Sequence, residues 1–438
     1  MKTHLKTASS AQQRAFSGAF QPEIVGRLCQ LQRPPLRKIK PLQIKGEFIA
    51  YASPESTFAV TKPLLEAARK SILIGIYDFT AGYMKELLLR ALSRGVKVSL
   101  MLDLDGRSGE TPLFNDLAKH GCECVPAPSC ASTRAHFFAS SHEKVIVIDD
   151  QWVLVQSGNW SDASIPLNEK DGGDPQHFTY GNRDMGLAVK CAPLAKFFTA
   201  VLRGDMALEL GVEALPEDAM AASIEAFGAK PTSPAPKLFP SKRFKLASAI
   251  SVTPVLSPDN YMTVVPAWLA SARKSVEIEQ QYIRNRQPAV QKLLAAMVEA
   301  QKKNPKLVLR IILGHPASPA ETEDIRNLSD FGLKLGSNVR LISRKHFVHC
   351  HNKTIIVDGT SILVSSQNWS DSAVTKNREA GLLLASAPIA RYFRSIFEVD
   401  WATGEKTIEE GAVPEIFAPE SLATGRTIRL NWGDYAEV

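Results

Sequence analysis

Hydrophobic positions along this chain follow helical spacing and then short strand-like runs, and the whole series occurs twice. Residues 64–79 read "LLEAARKSILIGIYDF", an amphipathic helix that runs into an apolar strand, and residues 268–283 repeat the pattern as "WLASARKSVEIEQQYI". Apolar residues three and four apart predict a helix, whereas a bounded apolar run predicts a buried strand. Three further pairs of segments match: 84–103 with 290–314, 141–162 with 350–371, and 182–202 with 377–397.

This duplication predicts an α/β fold in which two pseudo-symmetric domains each carry a mixed sheet flanked by helices. A Pro- and Ser-rich stretch, "GAKPTSPAPKLFPSK" at 228–242, connects the two halves. We expect ligands to bind where the halves face each other, because sites often form at such interfaces. The predicted boundaries are an N-terminal arm at 1–46, a first domain at 47–212, a linker at 213–250, a second domain at 251–405 and a C-terminal tail at 406–438.

The composition is that of an ordinary globular protein, with 45% hydrophobic and 22% charged residues among 438. No apolar run reaches the ~18 residues that a transmembrane helix needs, and no signal-peptide core follows the start. The six cysteines form no CxxC pair, which argues against a zinc site and favours free thiols in a reducing compartment. We therefore expect a cytoplasmic or peripheral membrane location, no cofactor and no metal.

The net charge of +7 is concentrated in the first 46 residues, which hold nine Lys and Arg against one acid, Glu23. The rest of the chain is nearly neutral. A basic arm of this kind is either a solvated extension or a segment that contacts an anionic membrane or nucleic acid. Its first twenty residues contain no acid and weakly resemble an organelle presequence.

Polar residues repeat more strictly than the hydrophobic residues around them. Both halves contain the pattern HxKxxxxD, followed by a serine and an asparagine. The residues are His142, Lys144, Asp149, Ser157 and Asn159 in the first half and His351, Lys353, Asp358, Ser366 and Asn368 in the second. Residues two apart on a strand share a face, so each pair is expected to line one face of its strand. A core needs apolar periodicity but no repeated histidine, so these residues predict a functional cleft.

This set of side chains suits a phosphate group. Lysine and asparagine hydrogen-bond the non-bridging oxygens and offset charge in the transition state. One histidine can attack phosphorus while the other protonates the departing oxygen, because imidazole titrates near neutral pH. The scheme divides phosphodiester cleavage into two displacements through a phosphohistidine, and it needs no metal.

At these residues the chain resembles the phospholipase D superfamily, whose signature is HxKxxxxD followed by GSxN. The resemblance covers nearly all of residues 47–402 and implies two phospholipase-D-like domains with one shared active site, for which a monomer is sufficient. It implies that His142 is the nucleophile and that His351 acts as acid and then as base. It also implies that a carboxylate downstream of each motif, Asp184 in "NRDMG" and Glu379 in "NREAG", holds a histidine ring.

Each copy departs from the family signature at one position. The glycine before the motif serine is replaced by Gln156 in the first copy and by Ser365 in the second. We expect the bulkier residues to alter the turn or the pocket wall. The motif aspartates, Asp149 and Asp358, end their strands and are expected to shape the fold rather than to touch substrate.

Residues outside the two motifs have alternative interpretations. The segment "EQQYIRN" at 279–285 resembles one that borders the cleft in lipid-acting members of the superfamily, or else it is a plain buried strand. Trp160 and Trp369 are core aromatics or part of the pocket wall. Candidate substrate-binding residues are Ser157, Ser366, Gln280 and Tyr282.

Two loop features distinguish the copies. His136, His346 and His349 precede the motifs at spacings that do not repeat, which favours surface or supporting positions. The first copy also has an insertion at 165–179, polar and rich in glycine. Such a loop beside an active site selects substrate or acts as a lid, or it is an inert insertion.

Three functions fit these residues. The first is a phospholipase D or phosphatidyltransferase acting on glycerophospholipid, which meets the membrane through the basic arm. The second is a metal-independent nuclease cleaving DNA or RNA, which would be expected to carry a basic groove with aromatic side chains. The third, an inactive binding protein, is weak because both motifs retain every reactive group. The nearly neutral body of the chain favours a lipid substrate.

Overall fold

The structure is a computed structural model that describes residues 29–105, 109–168, 181–212, 231–235 and 237–408. Within these ranges, two eight-stranded sheets are flanked by nine α-helices. In chain order the strands are β1 Leu42–Ile44, β2 Glu47–Ser53, β3 Ser71–Ile76, β4 Lys97–Leu102, β5 Glu123–Pro126, β6 Lys144–Ile148, β7 Trp152–Gln156, β8 Asp184–Lys190, β9 Lys242–Lys245, β10 Ile250–Ser257, β11 Ser275–Gln280, β12 Val308–Leu313, β13 Val339–Leu341, β14 Thr354–Val357, β15 Ser361–Ser365 and β16 Glu379–Ala385. The helices are α1 Thr57–Ala67, α2 Gly82–Ser93, α3 Glu110–Lys119, α4 Ala192–Leu210, α5 Tyr261–Ala270, α6 Pro288–Lys303, α7 Pro319–Asn327, α8 Asp371–Thr375 and α9 Ala387–Thr403.

Both sheets are mixed and have the same topology. The first sheet has the order β5-β4-β3-β6-β7-β8-β2-β9, and the second has the corresponding order β13-β12-β11-β14-β15-β16-β10-β1. Strands β3, β4 and β5 pair in parallel, as do β11, β12 and β13, whereas the remaining neighbours are antiparallel. The predicted α/β fold with two pseudo-symmetric domains and mixed sheets is confirmed.

The eighth strand of each sheet is exchanged between the halves. β1 precedes the first half but pairs with β10 of the second sheet, with Ile44 opposite Ile250. β9 precedes the second half but pairs with β2 of the first sheet, with Glu47 opposite Lys245. The predicted arm at 1–46 and linker at 213–250 therefore each contain a strand. The domain boundaries themselves stay a prediction.

Alternation along the strands places the hydrophobic core in three layers. In β6, Val145 and Val147 face a central core between the two sheets, which also contains the apolar faces of α4 and α9. Ile146 and Ile148 face the opposite way, onto a core beneath α1, α2 and α3. The second sheet has a matching outer core beneath α5 and α6. Because the central core joins both sheets, the two halves are fixed against each other.

The motif aspartates stabilise the fold, as predicted. Asp149 and Asp358 adopt φ angles of 54° and 56°, in the left-handed region that Asp tolerates better than most residues. The Asp358 carboxylate accepts hydrogen bonds from three consecutive main-chain N–H groups, those of Arg273, Lys274 and Ser275. Asp149 makes the same contacts in the first half. Each aspartate thus ties the end of its motif strand to the start of a neighbouring strand.

The expectation that all cysteines are free thiols is wrong. Cys29 and Cys130 form a disulfide across a sequence separation of 101 residues, with a Cα–Cα distance of 5.7 Å. A second contact joins the same segments, since the Gln32 N–H donates to the His136 carbonyl at 2.7 Å. The bond was not predictable because only folding brings these distant cysteines together. It fastens the N-terminal arm beside the loop that leads into the first motif.

Some predicted features lie outside the described residues. These are the first 28 residues with their presequence-like pattern, most of the insertion at 165–179, and the tail beyond residue 408. Among the described residues, no helix is both long and apolar enough to cross a bilayer.

We predict that Asp358→Asn lowers the free energy of unfolding by about 1.5–3 kcal/mol, because the neutral amide weakens three hydrogen bonds to a charged group. The matched control is Asp150→Asn. Asp150 follows the other motif aspartate, Asp149, and has a φ of 55° and an exposed side chain. It should change stability by less than about 0.5 kcal/mol. Urea unfolding of both variants makes the comparison, and equal losses would contradict the role given to Asp358.

Candidate active site

Folding brings the two motif histidines together across the interface between the halves. The ring centroids of His142 and His351 are 6.3 Å apart, and both residues are more than nine-tenths buried. Main-chain hydrogen bonds fix this approach, because the His142 N–H donates to the Arg378 carbonyl at 2.8 Å and the His351 N–H donates to the Arg183 carbonyl at 3.0 Å. The two copies of the motif therefore build one site.

The carboxylates that orient the histidines are exchanged between the halves. His142 Nδ1 lies 2.9 Å from Glu379 Oε2, and His351 Nδ1 lies 2.9 Å from Asp184 Oδ1. Sequence reasoning selected the right two acids, but each holds the histidine of the opposite half. A carboxylate at Nδ1 fixes the tautomer in which Nδ1 carries the hydrogen, which leaves Nε2 available for chemistry.

The motif serines contact these carboxylates. Ser157 donates to Asp184 Oδ1 at 2.7 Å, and Ser366 donates to Glu379 Oε2 at 2.5 Å. Both serines are fully buried. Each hydroxyl is engaged inside the protein with a carboxylate, and the expected contact of these serines with substrate stays a prediction.

Lysine and asparagine side chains surround the histidines. Lys144 and Lys353 are fully buried, and each ammonium group donates to the carbonyl of the histidine two residues before it. The buried Oδ1 atoms of Asn159 and Asn368 have no hydrogen-bond partner among the described residues. Two buried ammonium groups thus lie in the same cluster as the two histidines and their carboxyl partners.

The predicted strand positions of these residues need correction. His142 lies before β6, and His351 and Lys353 lie before β14. The serine and asparagine of each motif follow β7 or β15 rather than lying on it. The functional groups therefore cluster at strand ends, where the backbone leaves the sheet and side chains from both halves can converge.

Electrostatics differ between the two histidine–carboxylate pairs. Burial lowers the pKa of His351, and nearby Lys353 lowers it further, whereas Asp184 partly opposes the change. Burial raises the pKa of Glu379 to about 8, although Lys144 and the Ser366 hydroxyl counteract it. Burial therefore disfavours the charged imidazole at His351 and the charged carboxylate at Glu379.

Two buried arginines that sequence reasoning did not select hold the site together. Arg183 pairs with Glu55 of its own half at 2.8 Å and with Asp400 of the other half at 3.2 Å. Arg378 makes the equivalent pairs, with Asp259 of its own half and with Asp205 of the other at 2.7 Å. The available signal was the arginine that precedes the acid in both "NRD" and "NRE".

The cleft-bordering segment contributes a residue next to those selected. Gln280 is fully buried and donates to the Gln367 carbonyl at 3.2 Å. Gln281 instead reaches the site, since its Oε1 accepts hydrogen bonds from Lys353 Nζ at 3.1 Å and from Asn368 Nδ2 at 3.2 Å. Tyr282 lines a neighbouring cleft. The buried-strand alternative is thus correct for Gln280 and wrong for Gln281.

The family glycine replacements are accommodated inside the protein. Gln156 accepts from the Tyr51 hydroxyl at 3.0 Å and donates to the Gly158 carbonyl at 2.7 Å. Ser365 donates to the Lys353 carbonyl at 3.0 Å. These side chains stabilise the segments that carry the motif residues.

The remaining candidates lie outside the site. Trp160 and Trp369 are fully buried members of the two outer cores, which resolves their two interpretations in favour of packing. His136 and His346 bind the carbonyls of Ser132 and Pro234. His349 lies against Gly314.

Within the described ranges, no three His, Cys, Asp or Glu side chains are grouped so that they could hold a metal ion. The histidines and carboxylates of the site form pairs with each other instead.

Comparison with solved structures identifies the fold. Phosphatidylserine synthase from Haemophilus influenzae Rd KW20 has a TM-score of 0.59 and 16% sequence identity, over 89% of this chain and 96% of that one. Nuc from Salmonella typhimurium, a phospholipase D family member, matches at a TM-score of 0.30 and 20% identity, over 39% of this chain and 99% of its own. Comparison with curated protein sequences gives no match.

This fold and its paired motifs define a protein of the phospholipase D superfamily. The sequence family described as "Cardiolipin synthase, PLD-like domain" matches residues 62–172 and 266–401, which is more than half of the chain. The chain belongs to that family. The predicted superfamily resemblance is confirmed.

The exchanged pairing predicts which histidine each carboxylate variant disturbs. Glu379→Gln should shift the imidazole resonances of His142, whereas Asp184→Asn should shift those of His351, because each substitution replaces the carboxyl group beside Nδ1 with an amide. Histidine-selective nitrogen NMR spectra, assigned with His142→Gln and His351→Gln, provide the measurement. Each carboxylate variant should also lose about tenfold or more in activity. Perturbation of the histidine in the same half would contradict the exchange.

Proposed function

We propose that this chain hydrolyses or transfers the phosphodiester of glycerophospholipids through a phosphohistidine on His142, without a metal. The observation that supports the proposal is the pair of imidazoles 6.3 Å apart, each with Nδ1 held by a buried carboxylate. In the proposed mechanism one phosphorus atom lies between the two rings. Membership of the PLD-like domain family supports the phospholipid as substrate.

In the first displacement, His142 Nε2 attacks phosphorus and forms the N–P bond. The P–O bond to the leaving alcohol breaks, and its electron pair takes the proton from His351 Nε2. Glu379 stabilises the positive charge that develops on His142, and Asp184 keeps the His351 ring in position.

In the second displacement, His351 acts as the base. It removes the proton from water or an acceptor alcohol, whose oxygen forms the new O–P bond while the N–P bond breaks. His142 is released in its starting form. Water yields the phosphomonoester and an alcohol yields an exchanged phosphodiester, so one site supports both reactions.

The phosphate oxygens would be held by groups already fixed by the fold. Lys144 and Lys353 supply positive charge, and the amide groups of Asn159 and Asn368 donate hydrogen bonds. Preorganised donors of this kind stabilise the transition state without reorganisation, which is why removing one typically costs about 10²–10³ in rate. The scheme assigns no step to a metal, since the two ammonium groups offset the charge.

The alternative substrate is a nucleic acid. The nearly neutral body of the chain disfavours this substrate, because nuclease grooves gain affinity from many Lys and Arg contacts to phosphates. The contribution of the basic arm to membrane binding stays a prediction, since most of the arm precedes the described residues.

The deciding experiment offers the purified protein vesicles of phosphatidylcholine, vesicles of phosphatidylglycerol, and single-stranded DNA, all with a chelator present. Release or exchange of a lipid alcohol is the expected result, and His142→Ala should abolish it. Shortened DNA with unchanged lipid would favour the nuclease, and activity lost only in chelator would overturn the metal-free scheme.

We predict that His351→Ala traps the covalent intermediate. With a p-nitrophenyl phosphodiester the leaving group needs no acid, so His142 should still react while the missing base slows release by about 10²-fold or more. Intact-protein mass spectrometry should detect one phosphoryl adduct, and peptide mapping should place it on His142. An adduct on His351 in the matched His142→Ala variant, together with no adduct on His142 in the His351→Ala variant, would reverse the assigned order.

We predict that kcat/KM falls as pH rises through the pKa of His351. The acid must be protonated, and the pKa of His351 lies below its ordinary value of 6.5, so the fall should be centred below pH 6.5. Asp184 raises this pKa, and Asp184→Asn should therefore move the fall to lower pH. A substrate with a p-nitrophenol leaving group should show a smaller fall. An identical fall for both leaving groups would contradict the role of His351 as acid.

A further inference from the structure

The motif residues are duplicated, so they alone give the substrate no reason to bind in one direction rather than the other. Histidine, lysine, serine and asparagine are identical in the two motifs. Any preference for one ester arm of the phosphodiester must come from equivalent positions that differ. Tyr77 and Gln281 are such a pair, because both follow the last residue of equivalent strands, Ile76 of β3 and Gln280 of β11.

Gln281 presents hydrogen-bond donors on the His351 side of the site. Lys353 Nζ and Asn368 Nδ2 both donate to its Oε1, at 3.1 and 3.2 Å. An ammonium group has no acceptor, so the amide atom facing Lys353 must be the oxygen, and the orientation of the amide is fixed. Its Nε2 has no acceptor among the described residues, and the side chain is only half-buried. The amide therefore offers two N–H groups to a ligand.

Tyr77 presents an aromatic ring at the equivalent place on the His142 side. Its ring centroid lies 4.6 Å from that of His142, and the Lys144 ammonium group lies 5.1 Å from the ring centroid. The face of the ring is thus packed on catalytic groups, and the residue is 7% exposed. One side of the phosphate site is aromatic and closed, whereas the other side carries an amide.

The amide side continues into a second cleft. Gln281 forms part of the lining of a cleft with Tyr282, Arg284, Gly314 and His315. Arg284 is held there by Glu321 at 2.8 Å and by Asp324 at 3.2 Å. Arg284 stands where the first copy has Thr80, because "IRN" at 283–285 aligns with "FTA" at 79–81, so the first copy has no arginine at this position.

We propose that Gln281 binds the alcohol that leaves and the alcohol that enters, and that it selects alcohols with additional hydroxyl groups over apolar ones. The inference rests on the proposed function, in which His142 attacks phosphorus. In-line displacement places the leaving oxygen opposite His142, on the side of His351 and Gln281. Because the acceptor attacks from the position that the leaving group vacated, one residue governs both head group and acceptor. An amide that donates to a second hydroxyl discriminates against an alcohol that lacks it.

The test measures how one common intermediate divides between two acceptors. The protein is given phosphatidylcholine vesicles with equal concentrations of glycerol and 1-propanol, which have the same three-carbon chain. The ratio of the two phosphatidyl alcohols is then measured by mass spectrometry. Gln281→Met should lower the glycerol-to-propanol ratio by about three- to tenfold, as expected for the loss of one hydrogen bond. Because both products come from the same phosphoenzyme, slower formation of that intermediate cancels in the ratio.

Tyr77→Phe is the matched control, since it removes the polar atom from the equivalent position in the other half. It should leave the ratio within about twofold of the wild type. An unchanged ratio in Gln281→Met would overturn the inference, and so would a ratio that moves with Tyr77→Phe instead. Absence of a phosphohistidine in the wild-type protein would overturn the proposed function, and this inference with it, so the two failures are distinguishable.

Discussion

The catalytic geometry depends on a short contact that each half makes with the other, at Arg183–Asp184 and Arg378–Glu379. The main chain of each arginine pairs with the segment that carries the opposite motif histidine. The arginine side chain binds an aspartate on the opposite C-terminal helix, α4 or α9, and the following carboxylate binds the opposite histidine. The main-chain pairing, the ion pair and the histidine–carboxylate hydrogen bond are therefore all made by the same two consecutive residues of each half.

Because these ion pairs are buried, breaking the contact between the halves costs free energy. Removing one partner of a buried ion pair leaves an uncompensated charge, at a cost of about 3–5 kcal/mol. Here each arginine has carboxylates from both halves, so separation of the halves would strand charges on both sides. Exchange of β1 and β9 and the shared central core oppose the same separation. The two imidazoles are consequently held at a fixed distance, which catalysis by positioned groups requires.

Pseudo-symmetry supplies the motif residues twice, whereas the residues around them differ between the two sides of the site. The two histidine–carboxylate pairs use different acids, and the pKa of Glu379 is raised whereas that of Asp184 is lowered by His351 and its hydrogen bond despite burial. Tyr77 and Gln281 also differ, since they place an aromatic ring on the His142 side of the site and an amide on the His351 side. A phosphodiester has two unlike ester arms, so a site with two unlike sides can bind it in a single orientation.

The sequence alone was sufficient to predict the fold class and to select most of the residues that meet at the candidate site. Strong helix and strand periodicity, present in two copies, predicted a mixed α/β fold with two domains, and repeated polar residues selected the histidines, lysines and asparagines as candidates. The resemblance to the phospholipase D superfamily added the two carboxylates. Those residues are recognisable because chemistry demands their identity and packing does not. Long-range pairing was decided only by the tertiary structure: the exchange of carboxylates and edge strands, the Cys29–Cys130 bond, the buried serines, and the reach of Gln281 rather than Gln280. A linear pattern records which side chains share a strand face, but it does not record which of two equivalent halves a side chain faces once the chain has folded back on itself.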